Sequence, residues 1–461
     1  MQHKLNDTRA VYKRALVVAL PIIIQNGITN FVSLLDNIMV EQAGSAQMSG
    51  VSTVNTLLFV FNLCIFGACS GAGIFTAQFF GSQDHEGVRH TFRFKFIANL
   101  LLSLIGIGIF ALGGERLIGL YLQGDGDPAH AAQILFYGKK YLAVMMIGFV
   151  PFALSGAYAS TLRESGQTTV PMVAGVIAVF VNLVLNYVLI FGHLGLPALG
   201  AEGAAIATVV SRFAELAVVA SWTHLNPAKN PFIRGAYRSL YIPGTLLKKI
   251  IVKGMPLLVN EFFWASGMAI MRQCYSTCSL DVVPAMNIST VFQDLGSVVY
   301  LSMGNAVGII MGQMMGAGES RENVRHANNK LIFISVAAGV IFGGIMASLS
   351  GVFPSIYREE TVEVRHLATQ LILVSACMMP VFSYANASYF TLRSGGQTMV
   401  TFLFDSVFVW VVNVPLAYCL SRFTNLPIVP LYAICVGVDI FKCLVGFAMI
   451  RKGLWIRNLT E

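Results

Sequence analysis

The sequence predicts an all-α integral membrane protein, with about twelve transmembrane helices in two pseudo-symmetric six-helix lobes. The first observation behind this is composition. Of 461 residues, 56% are hydrophobic and 11% charged, with a mean hydropathy of +0.70. Water-soluble domains carry about 25% charged residues, so this little charge cannot coat a water-facing surface. The second observation is that apolar runs of about 20 residues, enough to cross a ~30 Å hydrocarbon layer, recur along the chain. The third is an internal repeat.

The expected spans run over residues 15–40, 48–80, 91–113, 133–160, 168–193, 201–223, 247–275, 283–315, 325–353, 362–393, 397–421 and 427–450. They are helices, because a barrel strand needs only about 10 residues of strict alternation. No polar stretch between them is long enough for a separate water-soluble domain. The opening MQHKLNDTRAVYKR leads straight into a span too long for a signal peptide, so no cleaved leader is expected.

The repeat gives the order its logic. Pro21, Gln78 and Gly81 return as Pro256, Gln313 and Gly316, each 235 positions on (256−21, 313−78, 316−81). A second echo is Thr161-Leu162-Arg163 with Gly166-Gln167-Thr168, which recurs as Thr391-Leu392-Arg393 with Gly396-Gln397-Thr398, an offset of 230 (391−161). Two copies of a long hydrophobic unit are the signature of a membrane transporter whose substrate path lies between its halves. The expected division is an N-lobe over 1–223, a cytoplasmic linker over 224–246 broken by Pro227, Pro231 and Pro243, and a C-lobe over 247–461.

Loop charge sets the orientation. Lys4, Arg9, Lys13 and Arg14 precede the first span, and Arg89, Arg93 and Lys95 follow the second. The linker region carries Lys229, Arg234, Arg238, Lys248, Lys249 and Lys253. Arg321, Arg325 and Lys330 follow the eighth span, and Arg451, Lys452 and Arg457 close the chain. With twelve spans all of these fall on one side, so both termini are expected in the cytoplasm, the protein being a multi-pass component of a prokaryotic inner membrane. The net charge of +8 is accounted for by this bias toward an anionic leaflet, without a nucleic-acid partner. The eight cysteines lack metal or redox spacing and read as packing residues.

Several polar residues sit inside spans. Gln25, Thr29, Ser33 and Asp36 are spaced 4, 4 and 3, which puts them on one helical stripe. A carboxylate in a membrane helix costs roughly 2.5–3.5 kcal/mol by insertion scales and is by default a candidate for ion or proton handling. The other role open to Asp36 is that of a hydrated group at the outer interface. Asn182 and Asn186 lie one turn apart on the fifth span, Ala204 and Thr208 one turn apart on the sixth. The asparagines serve equally as ion ligands or as hydrogen bonds between helices. In the second half, Glu261 follows Pro256 by five residues, with Trp264, Met268 and Arg272 continuing its face. Asp294 and Asn305 share a stripe on the eighth span, and Asp405 lies inside TFLFDSVFVW on the eleventh. Glu261 is open to neutralisation by Arg272. Arg212 with Glu215, and Asp439 with Lys442, are spaced as i,i+3 structural pairs.

Over nearly its whole length the chain resembles the multidrug and toxic compound extrusion (MATE) transporters, within the wider multidrug/oligosaccharidyl-lipid/polysaccharide flippase group. The residues that carry the likeness are LPIIIQNGITNFVSLLDNIMV, TAQFFGSQD, TLRESGQT, and VNLVLNYVLIFG with GAEGAAIATVVSR. The resemblance implies two six-helix lobes around a V-shaped cavity. It also implies antiport of small, cationic or lipophilic compounds against Na⁺ or H⁺, with no cofactor, and a monomer that meets substrate and membrane lipid. In sodium-coupled members an acid of the first helix joins an Asn, a second acid one turn later, a backbone carbonyl and a Thr. Asp36, Asn182, Ala204 and Thr208 match that set, giving a candidate Na⁺ site at Asp36, Asn182 and Thr208, while Asn186 stands where the pattern has a carboxylate. Acids in the second lobe of some members bind a cation or a cationic drug, which suggests that role for Glu261, Asp294 and Asp405.

Two other classes fit less well. A flippase for lipid-linked oligosaccharide or another amphiphile would line its cavity with Arg and Lys to hold pyrophosphate, and mid-span bases are few, chiefly Arg212 and Arg272. A membrane-embedded enzyme needs a nucleophile with a base. The eight histidines lie toward span ends, and no HExxH, GxSxG or Walker sequence is present.

Overall fold

The computed structural model describes residues 8–122, 128–279, 281–357 and 360–460; His3 and Lys4 lie outside them. Among the described residues all regular structure is helical: α1 (Thr8–Gln42), α2 (Ser45–Gly81), α3 (His85–Tyr121), α4 (Pro128–Ile147), α5 (Phe149–Glu164), α6 (Thr169–Phe191), α7 (Ala201–Leu225), α8 (Gly244–Ser276), α9 (Val282–Gly316), α10 (Arg321–Leu349), α11 (Val362–Ser394), α12 (Thr398–Phe402), α13 (Val414–Phe423), α14 (Ile428–Gly437) and α15 (Asp439–Lys452). Two π-helical turns, Leu403–Val407 and Val409–Asn413, join α12 to α13.

Among the described residues, ten spans are long and apolar enough to cross a membrane, with α12–α13 and α14–α15 each counted as one, and α4 with α5 makes an eleventh bent by 47°. The break falls at Gly148, where Pro151 has no N–H to close the helix onto Ile147. The remaining expected span, the seventh (247–275), falls on α8. Its 33 residues suffice in length, but Lys248, Lys249, Lys253, Glu261 and Arg272 leave it short in apolar character. The protein is a multi-pass helical membrane protein.

The chain forms two compact units. One comprises Met1–Ile23, Ala77–Gln83 and Ile251–Glu461, the other Ile24–Thr76 and Asp84–Ile250. In the first, the end of α2 crosses the end of α9 through repeat-related residues. A Cβ on Gly81 would lie 2.0 Å from the Gln313 carbonyl oxygen, and a Cβ on Gly316 would lie 1.9 Å from that of Gln78. Only glycine permits so close an approach. Gln78, fully buried, donates to the carbonyls of Ser394 (3.0 Å) and Arg457 (3.2 Å) and accepts from the Leu459 amide (2.7 Å). Gln313 accepts from Arg14 at 2.6 Å. Buried Trp455 and Ile456 complete the apolar core of this end, which also takes in Val11, Ala15 and Ile22 of α1.

In the second unit, the segment expected as a joint is docked on α3. Arg93 donates to the carbonyls of Ala236 (2.8 Å), Gly235 (2.9 Å) and Tyr241 (3.1 Å), and Arg89 to that of Phe232 (3.2 Å). Phe92 packs its ring on Tyr158 and Phe232, with centroids 5.0 and 5.5 Å apart. These arginines, which the loop bias treats only as charges, also bond carbonyls of a segment that is otherwise a run of local turns. The helices that follow the repeat motif start alike: Asp84 caps α3 through the amides of Gly87 (2.9 Å) and Glu86 (3.1 Å), and Ser320 caps α10 through that of Asn323 (3.2 Å).

The cysteines are free thiols; Cys69, Cys274 and Cys435 are buried, while Cys377 and Cys419 are exposed.

Candidate functional site

The fold brings Asp36 of α1 together with Asn182 and Asn186 of α6 and Thr208 of α7. One turn of α6 separates the two asparagines, so their amides rise on one face toward α1 and α7. Asn186, with no exposed surface, donates to Asp36 Oδ1 at 2.6 Å and to Asn182 Oδ1 at 3.2 Å. Asn182 donates to Thr208 Oγ1 at 3.3 Å. In the alternative amide orientation, Asn182 Nδ2 reaches Asp36 Oδ1 and Oδ2 at 2.9 and 3.0 Å, and its oxygen accepts from Thr208 at 3.3 Å. Asn186 Oδ1 is buried and has no hydrogen-bond partner. Ala204 is buried one turn before Thr208, where α7 crosses close to α6: a Cβ on Gly203 would lie 2.7 Å from the Leu189 carbonyl oxygen. No Lys or Arg pairs with Asp36 by a salt bridge among the described residues. The result is a cluster of oxygen atoms around one carboxylate.

The rest of the polar stripe behaves differently. Gln25 accepts from Arg163 at 3.3 Å; Thr29 and Ser33 are exposed. Beside the cluster, Tyr141 donates to Asn55 at 3.3 Å. Neither residue stands out in the sequence, where a Tyr in a span reads as packing. Arg212 and Glu215 pair as expected, at 3.1 Å, with the guanidinium 4.9 Å from the Phe152 ring centre.

No hydrogen bond or ion pair joins the second-half acids to one another among the described residues. Asp294 is exposed on α9. Glu261 lies on α8, where Arg393 and Asp405 are the charged groups that act on it, rather than Arg272. Trp264 is 38% exposed. Asp405 sits on the first π-helical turn, a geometry that is frequent at functional positions. Its Oδ1 accepts from Lys442 Nζ at 2.9 Å and its Oδ2 from Asn260 Nδ2 at 3.2 Å. Lys442 therefore reaches across to Asp405, where i,i+3 spacing points to Asp439; Asp439 accepts instead from Asn413 at 3.2 Å. Asn260 is locked in place by Ser406, whose hydroxyl donates to its carbonyl and side-chain oxygens, both at 2.7 Å. Asn260 escapes a reading built on charges, yet the repeat marks it, because it stands 235 positions after Gln25 (260−25).

With this geometry in view, similarity to known proteins is informative. The MatE family model matches residues 21–188 and again 256–419. The two matches start 235 residues apart, the offset of the repeat. A probable multidrug resistance protein NorM of Thermotoga maritima is 22% identical over 453 residues, covering 96% of this chain and 93% of that one. A probable multidrug resistance protein YoeA of Bacillus subtilis is 25% identical over 430 residues, covering 91% and 89%. Among solved structures, a MATE protein in its straight conformation aligns at 18% identity with a TM-score of 0.85, covering 97% of this chain and 96% of that one. A MOP superfamily transporter from Pyrococcus furiosus aligns at 18% identity with a TM-score of 0.84 and the same coverage. These likenesses in structure speak for the fold.

Proposed function

The chain belongs to the MATE family of transporters rather than to an enzyme family, and on that premise we propose that it is a Na⁺-coupled antiporter exporting small cationic or lipophilic compounds. The observation that carries the choice of ion is the buried Asn186 Oδ1, without a partner beside Asp36. A proton needs only the carboxylate. Na⁺ is a hard cation that takes several oxygens, and here Asp36, Asn182, Asn186 and Thr208 offer them. One carboxylate matches one monovalent charge. The Ala204 carbonyl is the backbone ligand proposed beside them.

Glu261, Asp294 and Asp405 make the second half attractive to organic cations, Asp405 with its charge already matched by Lys442. The protein works as a monomer in a prokaryotic inner membrane, with both termini in the cytoplasm and substrate and lipid as its partners. Lys95, Lys442 and Arg212 each hold a carboxylate already, which leaves little positive charge for a lipid pyrophosphate.

One Na⁺ entering down ~100 mV supplies about 2.3 kcal/mol, and a tenfold gradient adds about 1.4 kcal/mol. A monovalent cationic guest exchanged one for one cancels the voltage term, and only the chemical gradient then drives export. The deciding experiment is efflux from proteoliposomes with sodium and pH gradients imposed separately. Export under a sodium gradient at constant pH supports the assignment; export under a pH gradient alone, with sodium equal on both sides, makes the ion a proton.

A further inference from the structure

The repeat extends to the pair of spans that holds the Asp36 cluster, and there the second half carries something the first lacks. In the first half an amide of the fifth span meets a hydroxyl of the sixth: Asn182 and Thr208, at 3.3 Å. In the second half, an amide of the eleventh span meets an acid of the twelfth: Asn413 and Asp439, at 3.2 Å. Both members are displaced by 231 positions (413−182, 439−208). The two contacts are therefore counterparts. The offset exceeds the 230 of the preceding motif by one, as expected if a π-helical turn inserts one residue into the eleventh span. As in the first cluster, an amide oxygen is left over: Asn413 Oδ1 is buried without a hydrogen-bond partner.

The first-half acid, Asp36, has Met271 as its counterpart at the offset of 235 (271−36). The second half carries its charge elsewhere: Asp405 matches Gly175 at the offset of 230 (405−175), and a Cβ on Gly175 would lie 2.9 Å from Gln25 Nε2, so Asp405 and Lys442 make a charged site at the level of Gln25 that the first half lacks. Lys442 is 7% exposed, places its ammonium 2.9 Å from Asp405, and lies three residues after Asp439 on α15. The Phe404 and Phe408 ring centres are 6.0 and 5.7 Å from its Nζ, near enough for cation–π attraction. An ammonium held on a carboxylate with two aromatic faces beside it is in the surroundings of a bound cation.

We propose that Lys442 is a tethered cation that fills the Asp405 site of the second half, and so limits exchangeable Na⁺ to one per chain. The inference rests on the reading of Asp36 as a Na⁺ site for its meaning in transport. The occupancy of the Asp405 site by Lys442 is tested separately. Replacing Lys442 with a neutral residue vacates the site while leaving its acids in place, and a free monovalent cation takes the position. Lys442 is thus a residue that sets ion stoichiometry, acting through Asp405.

The test is equilibrium binding of radiolabelled Na⁺ to the purified full chain in nanodiscs. Wild type is expected to bind one ion, Lys442→Gln two, and the double variant Asp405→Asn/Lys442→Gln one again. No gain in Lys442→Gln, or a gain that persists in the double variant, overturns the proposal. Asp36→Asn in each background separates the two ideas. If it leaves wild-type binding unchanged, the Asp36 reading fails, while the gain and loss governed by Lys442 and Asp405 still judges the proposal. Thermal unfolding covers the case of an unstable variant. Lys442→Gln should be restored by Na⁺ or methylammonium. A variant that neither cation restores, alongside a sound double variant, shows that no free cation enters and overturns the proposal.

Discussion

The end of the third and fourth spans that carries Lys95 and Glu164 and its repeat counterpart treat charge in opposite ways. In the first half, fully buried Lys95 pairs with Glu164, whose carboxylate also accepts from Ser160 at 2.7 Å and presses on Gly73, where a Cβ would lie 2.2 Å from Oε1. In the second half, Val88-Arg89-His90 returns as Val324-Arg325-His326, an offset of 236 (324−88) that makes Leu331 the counterpart of Lys95 (331−95), and the offset of 230 after Thr161-Leu162-Arg163 makes Ser394 that of Glu164 (394−164). Leu331 is as buried as Lys95. Both charges are present, or neither is. A buried ion pair can be exchanged for neutral groups at little cost, whereas leaving one charge alone costs several kcal/mol. By contrast Pro21/Pro256, Gln78/Gln313 and Gly81/Gly316 are identical, because they serve backbone geometry and close approach. The halves share what shapes helices and differ in what must be neutralised locally.

The largest effect is expected at the Asp36 cluster. Asp36→Asn should abolish export against a gradient, to below about 1% of wild type, while leaving a folded protein that binds its guest. Removing a charge from a membrane helix costs no stability. Proteoliposome efflux and guest binding at matched protein check it, and active export by the variant would refute the coupling role. The next tests the rule of paired charge. Glu164→Gln should destabilise by about 3–5 kcal/mol through an uncompensated Lys95. Lys95→Leu/Glu164→Ser, which copies the second half, should recover most of that. Thermal denaturation of both variants decides the matter, and a double variant as weak as the single one breaks the comparison.

Smaller effects should follow at the reciprocal crossing. Gly81→Ala and Gly316→Ala each force a Cβ against a carbonyl oxygen, and about 1–3 kcal/mol is expected for such overpacking. The two losses should be alike, and a loss at one position alone would show that the crossing is not symmetric in energy. The smallest effect is at Glu261. Glu261→Gln should raise the half-maximal concentration of cationic guests several-fold, about 1 kcal/mol, and leave neutral guests unmoved. Transport assays with paired guests measure it; equal losses for both would move Glu261 into coupling or folding.

Residue order alone carried the helical class, the spans, the repeat and the family, because each depends on hydropathy and spacing along one chain. It also set Asn182 with Asn186, and Ala204 with Thr208, since i,i+4 spacing already says which side chains share a helix face; joining them to Asp36 took the resemblance to the family. Partners on different helices are another matter. Lys442 has Asp439 three residues away, yet it bonds Asp405 on another span; the rotation of α15 against the π-helical turns decides that, and no spacing rule contains it. The same holds for Asn260, fixed by Ser406, and for the 224–246 segment, whose carbonyls are taken up by Arg89 and Arg93 of α3. The unpartnered oxygen of Asn186 exists only once α1, α6 and α7 are packed. In a membrane interior, where water does not fill unmet valences, tertiary structure decides which polar atoms are satisfied by neighbours and which are left without a partner.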